Sequence, residues 1–225
     1  MLALVAPAAL AQSTAGAGSL VVIPTAAVIA AYDTEVFVRN PNASGLTLNV
    51  RYYQSNDATA PPGLRSCTPV VLAANQSASF NLGAQCGLGA GDDFGMIILE
   101  DTSTERTHPF FAYSRTQTPT GIGFSVEGFP IGSFSGAPAH VLGLRKLAAS
   151  PNYRSNCFIG SLGESVNWQV LLVQSGTETV LGSLSGSLGP YQTHRILDVF
   201  ASAGLAGDFT NVRATFSTST ANNPA

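Results

Sequence analysis

Residues 32–40, Tyr32-Asp33-Thr34-Glu35-Val36-Phe37-Val38-Arg39-Asn40, align with residues 153–161, Tyr153-Arg154-Ser155-Asn156-Cys157-Phe158-Ile159-Gly160-Ser161, at an offset of 121. Apolar side chains coincide at 36, 37 and 38. A turn follows in both copies, Pro41-Asn42-Ala43-Ser44-Gly45 and Leu162-Gly163-Glu164-Ser165. A strand with period-two alternation comes next, Leu46, Leu48, Val50 and Tyr52 against Val166, Trp168, Val170 and Leu172. Such alternation puts one face of a strand in a core and the other in solvent.

The correspondence continues outward. Leu72-Ala73-Ala74-Asn75-Gln76-Ser77-Ala78-Ser79-Phe80 lies over Leu188-Gly189-Pro190-Tyr191-Gln192-Thr193-His194-Arg195-Ile196 at an offset of 116. Gly91-Asp92-Asp93-Phe94 matches Ala206-Gly207-Asp208-Phe209 at 115, each ahead of an apolar strand. Leu20-Val21-Val22-Ile23 and Val141-Leu142-Gly143-Leu144 are the expected opening strands. A repeat of this length is too long for a solenoid and fits one β-sandwich, so the expected fold is all-β with two antiparallel sandwiches. The expected organisation is a leader over residues 1–11, a first sandwich over 17–131, a Gly/Ser/Pro-containing linker over 132–139 and a second sandwich over 140–225. Pro109-Phe110-Phe111-Ala112-Tyr113-Ser114-Arg115 reads as a strand of the first copy whose counterpart would run past Ala225. Either the sequence is a piece of a longer chain or a partner supplies that strand by pairing at the edge of the second sandwich.

Composition agrees with this reading. Of the 225 residues, 10% are charged and 45% apolar, and Lys146 is the only lysine. Coiled coils, highly charged disordered chains and basic nucleic-acid binders all need charge that is missing here, and a net charge of −3 opposes attraction to phosphate. The 23 glycines and 13 prolines lack a collagen period and mark frequent turns. Leu2 to Gln12 is a short apolar run ending in Ala9-Leu10-Ala11, the pattern a signal peptidase cuts after, which implies export. The alternative is an apolar N-terminal strand. No window is apolar for long enough to predict a transmembrane helix.

Cys67 and Cys86 bracket an expected hairpin, Pro69-Val70-Val71-Leu72 and Ala78-Ser79-Phe80-Asn81-Leu82, whose fold-back brings them together as a candidate disulfide. Cys157 is left as a buried, inert thiol in an apolar strand. His108, His140 and His194 do not coincide between the copies and lack a second ligand nearby, so no metal site or catalytic base is expected. Asp92, Asp93 and Asp208 read as turn formers rather than as calcium ligands, and Asp198 as the N-cap of a short helical turn closed by Gly204. No cofactor is expected. Trp168 reads as core, whereas the adjacent Tyr52 and Tyr53 must point to opposite faces, leaving one outward. With Tyr113, these two are the candidate ligand-facing aromatics.

An Ile23-Pro24 strand, an apolar strand ending in Asn40-Pro41, and Leu46-x-Leu48-x-Val50-x-Tyr52 make up part of a wider pattern. A Leu-Ala-Ala-Asn or Leu-Gly-Pro turn and Ile196-Leu197-Asp198-Val199-Phe200 complete it. Together they resemble the tandem immunoglobulin-like sandwich modules of exported bacterial multidomain proteins. The resemblance implies an extracellular accessory or surface module and carries over no catalytic residue. The expected function is that of a non-enzymatic secreted or cell-surface module, structural or adhesive, with a protein or glycan surface partner. The alternative is a carbohydrate-binding accessory module.

Overall fold

The computed structural model describes residues 16–55, 63–89, 91, 93–134, 136–149 and 153–220, with the backbone alone for Asp93 and Thr220. The expected leader and Asp92 lie outside these residues. The N-terminal half runs β1 (Leu20–Val28), β2 (Asp33–Arg39), β3 (Leu46–Ser55), β4 (Gly63–Ser66), β5 (Val70–Leu72), β6 (Ser77–Asn81), the short helix α1 (Leu82–Cys86), β7 (Asp93–Asp101), β8 (Phe111–Gln117), β9 (Gly123–Glu127) and β10 (Phe129–Pro130). A 3-10 turn, Ile131–Ser133, leads to β11 (Ala139–Lys146), β12 (Cys157–Gly160), β13 (Val166–Gln174), β14 (Thr179–Leu188), β15 (Thr193–Ile196), the helical turn α2 (Val199–Ser202) and β16 (Phe209–Thr220). The fold is nearly all β, and every ladder is antiparallel.

Four sheets form. Strands β10-β1-β7-β3-β4 make the first, with β5 also on β3, and β6-β2-β8-β9 the second. In the C-terminal half the sheets are β11-β16-β13-β14 and β12-β15. The two halves thus share the order of their common strands, and among the described residues β8, β9 and β10 have no counterpart in the C-terminal half. The ladders keep the sequence offsets: Val36 faces Phe80 as Cys157 faces Ile196, and Val38 faces Ala78 as Ile159 faces His194. The turns before β6 and β15 share their chemistry as well. Gln76 Oε1 accepts from Ala73 N–H (2.6 Å) and Gln192 Oε1 from Gly189 N–H (2.9 Å), while Asn75 and Tyr191 both take a left-handed backbone, φ 56° and 58°.

Two registers differ from the sequence reading. Val50 and Val21 both face Leu99, and Val170 and Ala139 both face Phe216, so β1 matches β11 through Val21 and Ala139 rather than Val21 and Leu142. Both opening strands carry an irregularity at the corresponding place, between Ile23 and Ala26 and between Val141 and Leu144, which the sequence alignment slid past. The last strand shifts by two residues, with left-handed Asn211 inside it. An even shift preserves which side chains face inward, so Val212 and Ala214 stay in the core.

Three apolar clusters hold the stack. One fills the space between the two N-terminal sheets, with Val21, Ile23, Val36, Leu48, Tyr52, Leu99 and Phe110 among its members. Another lies between the C-terminal sheets around Val170, Leu172, Phe200 and Val212. The third joins the halves: Val22, Tyr53, Met96 and Ile98, on the outer face of the first sheet, pack against Leu162 and Tyr191. Across this junction Tyr53 stacks on Tyr191 with centroids 4.4 Å apart, and Ser55 Oγ donates to Thr193 O (2.6 Å). The Arg195 guanidinium lies 4.5 Å from the Phe94 ring centroid.

Cys67 and Cys86 are disulfide-bonded, tying the β4–β5 connection to the end of α1. Trp168 is buried in the C-terminal core with its ring directly over Gly186, where an added Cβ would come within 2.7 Å of it. Asp198 caps α2 through Ala201 N–H (3.1 Å) and pairs with Lys146 (3.1 Å). Two stability outcomes follow. Replacing both Cys67 and Cys86 by serine releases a loop whose closure is worth about 3 kcal/mol, seen as a lower urea midpoint under non-reducing conditions. Gly186→Val overpacks the site beneath Trp168 and costs about 1–3 kcal/mol, read by the same titration.

Candidate aromatic binding face

Strand β8 alternates, and the alternation sorts its side chains. Ala112, Ser114 and Thr116 point inward and are buried, while Phe111 and Tyr113, each 47% exposed, point out from the second sheet. On the neighbouring strand Phe37 lies directly opposite Tyr113, and the two rings stack nearly parallel, 6° apart in plane with centroids at 4.6 Å. Such cross-strand pairs stabilise a sheet by fractions of a kcal/mol, so the pair is not essential to folding. The rings form a ridge across β2 and β8. On the Phe37 side lies a trough of 430 Å³ floored by Arg39, Ser77 and Ser79, and on the Tyr113 side one of 400 Å³ bounded by Ser125 and Glu127.

Polar partners hold the edges of this face. Arg39 donates to Asn75 O, and Arg115 donates to Gln117 Oε1 (2.5 Å) and Gly121 O (3.0 Å). The crossover into β8 is anchored by Asp101, which is buried. Its carboxylate accepts from Ser103 Oγ (2.5 Å) and from the backbone N–H groups of Ser103 (2.9 Å) and His108 (3.1 Å), and contacts His108 Nδ1 at 3.2 Å. Burial works against ionisation there, but these bonds outweigh it and hold the carboxyl below its ordinary range.

The other sequence candidates fall elsewhere. Tyr52 is fully buried in the N-terminal core, and Tyr53 is 9% exposed beneath Tyr191, so neither presents a ring to solvent. The expectation of one outward tyrosine fails because the sheet that carries both is covered on its two faces. Only Tyr113 keeps its place, and Phe37, which the sequence reading did not single out, joins it; the alternation of Val36 and Val38 around it was the available signal. His108 is tied to Asp101, His140 lies 3.1 Å from Thr215 Oγ1, and His194 stacks on Trp168. Asp208 accepts from Ala148 N–H (2.7 Å), a long-range bond rather than the local one of a turn former. Burial pushes the Cys157 thiol up, away from the reactive thiolate.

Among the described residues, no three of His, Cys, Asp and Glu are grouped so as to hold a metal ion, and no helix is long and apolar enough to cross a membrane. A larger groove of 820 Å³ opens beside Trp168, His194 and Arg195. Its tryptophan is packed over Gly186 rather than presented to solvent, so the ridge on β2 and β8 is the stronger candidate surface. No protein-family model matches the chain, and no curated protein matches it.

The Asp101 anchor gives the face a pH dependence. A carboxyl held below its unfolded value of about 4 contributes stability that is full above that value and is lost as pH falls through the folded one. Asp101→Asn should therefore lower stability at pH 7, with the difference from the parent shrinking as urea titrations are carried below pH 4.

Proposed function

We propose that the chain is a non-enzymatic exported module of two immunoglobulin-like sandwiches, structural or adhesive in role, that meets its partner through the Phe37–Phe111–Tyr113 face. The carrying observation is the stacked Phe37–Tyr113 pair standing on an otherwise polar sheet face, with Phe111 exposed beside it. Exposed aromatic groups rimmed by polar side chains are a common mark of a recognition surface. The Cys67–Cys86 bond supports export, because such bonds persist where thiols meet oxidising conditions. The sparse charge supports a partner recognised by shape and hydrogen bonding more than by long-range attraction.

A second reading is favoured by the geometry of the ridge. Parallel rings leave one outer face on Phe37 and one on Tyr113, each beside serines, and a sugar ring binds by offering its C–H face to an aromatic and its hydroxyls to neighbouring polar groups. This reading makes the module a carbohydrate-binding accessory.

Both readings place the partner on the same face, and one experiment separates them. Retention on a panel of insoluble polysaccharides and on whole bacterial cells is compared for the parent and for Phe37→Ala/Tyr113→Ala. A partner on this face predicts at least a tenfold loss of retention in the variant with stability changed by less than about 1 kcal/mol. Retention on purified polysaccharide selects the carbohydrate reading, and retention on cells alone selects the protein partner. Equal retention by parent and variant removes the face from the function.

A further inference from the structure

We propose that the Phe37 flank of the aromatic ridge is a subsite for a carboxylated sugar, a uronate unit of an acidic polysaccharide, with Arg39 as the residue that selects its charge, an assignment that rests on the carbohydrate reading of the Phe37–Phe111–Tyr113 face. Three kinds of group meet at the 430 Å³ trough on that flank: the Phe37 ring, the exposed Ser77 and Ser79, and the Arg39 side chain. The ladder places them. It sets Ser79 opposite Phe37 and Ser77 opposite Arg39, all on the outward side of β2 and β6.

Arg39 is anchored but not neutralised. Its Nη1 donates to Asn75 O and to Ser77 Oγ (3.4 Å), which holds the head group on the β6 side of the ridge. Among the described residues Nε and Nη2 make no hydrogen bond and no carboxylate pairs with the guanidinium, whereas Arg51 and Arg106 pair with Glu100 and Arg213 pairs with Glu178. The lining of the trough contains no acidic side chain. On the same side of β2 the nearest acid is Glu35, four residues along, which is about 13 Å at the rise of a strand and beyond the roughly 8 Å screening length of physiological salt. Glu127 stands on the other flank, opposite Tyr113.

The chemistry of the trough specifies the occupant. A guanidinium offers parallel N–H groups that match a carboxylate, serine hydroxyls exchange hydrogen bonds with other hydroxyls, and an aromatic face accepts the C–H side of a sugar ring. A uronate carries all three complements on one ring. An acidic peptide lacks the ring, and the backbone pairing by which an extended peptide joins a sheet is closed to it here, because β2 is already paired by β6 and β8, and β8 by β2 and β9. The chain's net charge of −3 opposes a polyanion at long range, so selection falls to the charge-assisted bond made in contact.

The test is calorimetric titration of the full chain with defined probes: oligogalacturonate, oligomannuronate, an oligosaccharide alternating glucuronate with N-acetylglucosamine, the methyl ester of each, and oligoglutamate as the acidic peptide. At least one uronate should bind about tenfold or more tighter than its own ester, the gain of a charge-assisted bond over a neutral one. Arg39→Gln should remove that preference while the ester binds as it does to the parent. Phe37→Ala/Tyr113→Ala should abolish binding of acid and ester alike, with the urea midpoint near the parent's. Measurable but equal binding of acid and ester, or a preference that survives Arg39→Gln, would overturn the uronate subsite and leave the carbohydrate reading standing. Oligoglutamate bound as tightly as any uronate would overturn the sugar as occupant. Failure of every sugar to bind in either form would overturn both the subsite and the carbohydrate reading.

Discussion

Strand β7 has no face left for water. From Phe94 to Asp101 every side chain is buried, with Ile97 and Leu99 turned into the N-terminal core and Met96 and Ile98 turned the other way. A sheet that is apolar on both faces must be covered on both, as in layered folds where central strands read as continuous hydrophobic runs. The small sheet β12-β15 supplies the second cover. Its Cys157, Ile159 and Ile196 face the C-terminal core, and its Phe158, Gly160, Thr193 and Arg195 face the first sheet. The four sheets therefore stack as consecutive layers around three clusters of buried side chains.

Magnitudes favour this junction despite its local costs. Tyr191 holds a left-handed backbone, a state that costs a non-glycine residue about 1–2 kcal/mol. Burying each large apolar side chain is worth about 1.5–3 kcal/mol, and the junction contains Val22, Tyr53, Met96 and Ile98 besides Tyr191 itself. The backbone strain is thus small against the burial it permits, and the same turn that Asn75 makes at the surface becomes an anchor in the second half. In the N-terminal half β2 and β8 carry the exposed aromatic ridge.

Much of this was legible in the sequence because turns and alternation are local. The pairing of Gln76 with Gln192 and of the strands around them came from residues that act on their own neighbours, and the ladders keep those offsets. The Cys67–Cys86 bond was legible for the same reason, since a hairpin brings its flanks together. The misreadings concern what lies far away in the chain. One of Tyr52 and Tyr53 is expected outward because alternation names a face but not its cover. The signal for that cover was the unbroken run Met96-Ile97-Ile98-Leu99, which does not alternate as a half-exposed strand should. The register of β11 was misjudged because its irregularity between Val141 and Leu144 breaks the period on which the alignment relied.

Trp168 is the only tryptophan and sits in the C-terminal core, so its fluorescence reports on that half alone. The most direct measurement is thermal unfolding followed at Trp168 in the parent and in Tyr53→Ala, a substitution made wholly within the N-terminal half. If β7 and its neighbours need the C-terminal cover, the two halves stabilise each other, and the Trp168 transition should move down by several degrees in the variant. A Trp168 transition unchanged by Tyr53→Ala would mean that the halves fold independently and that the buried junction does not hold the stack together.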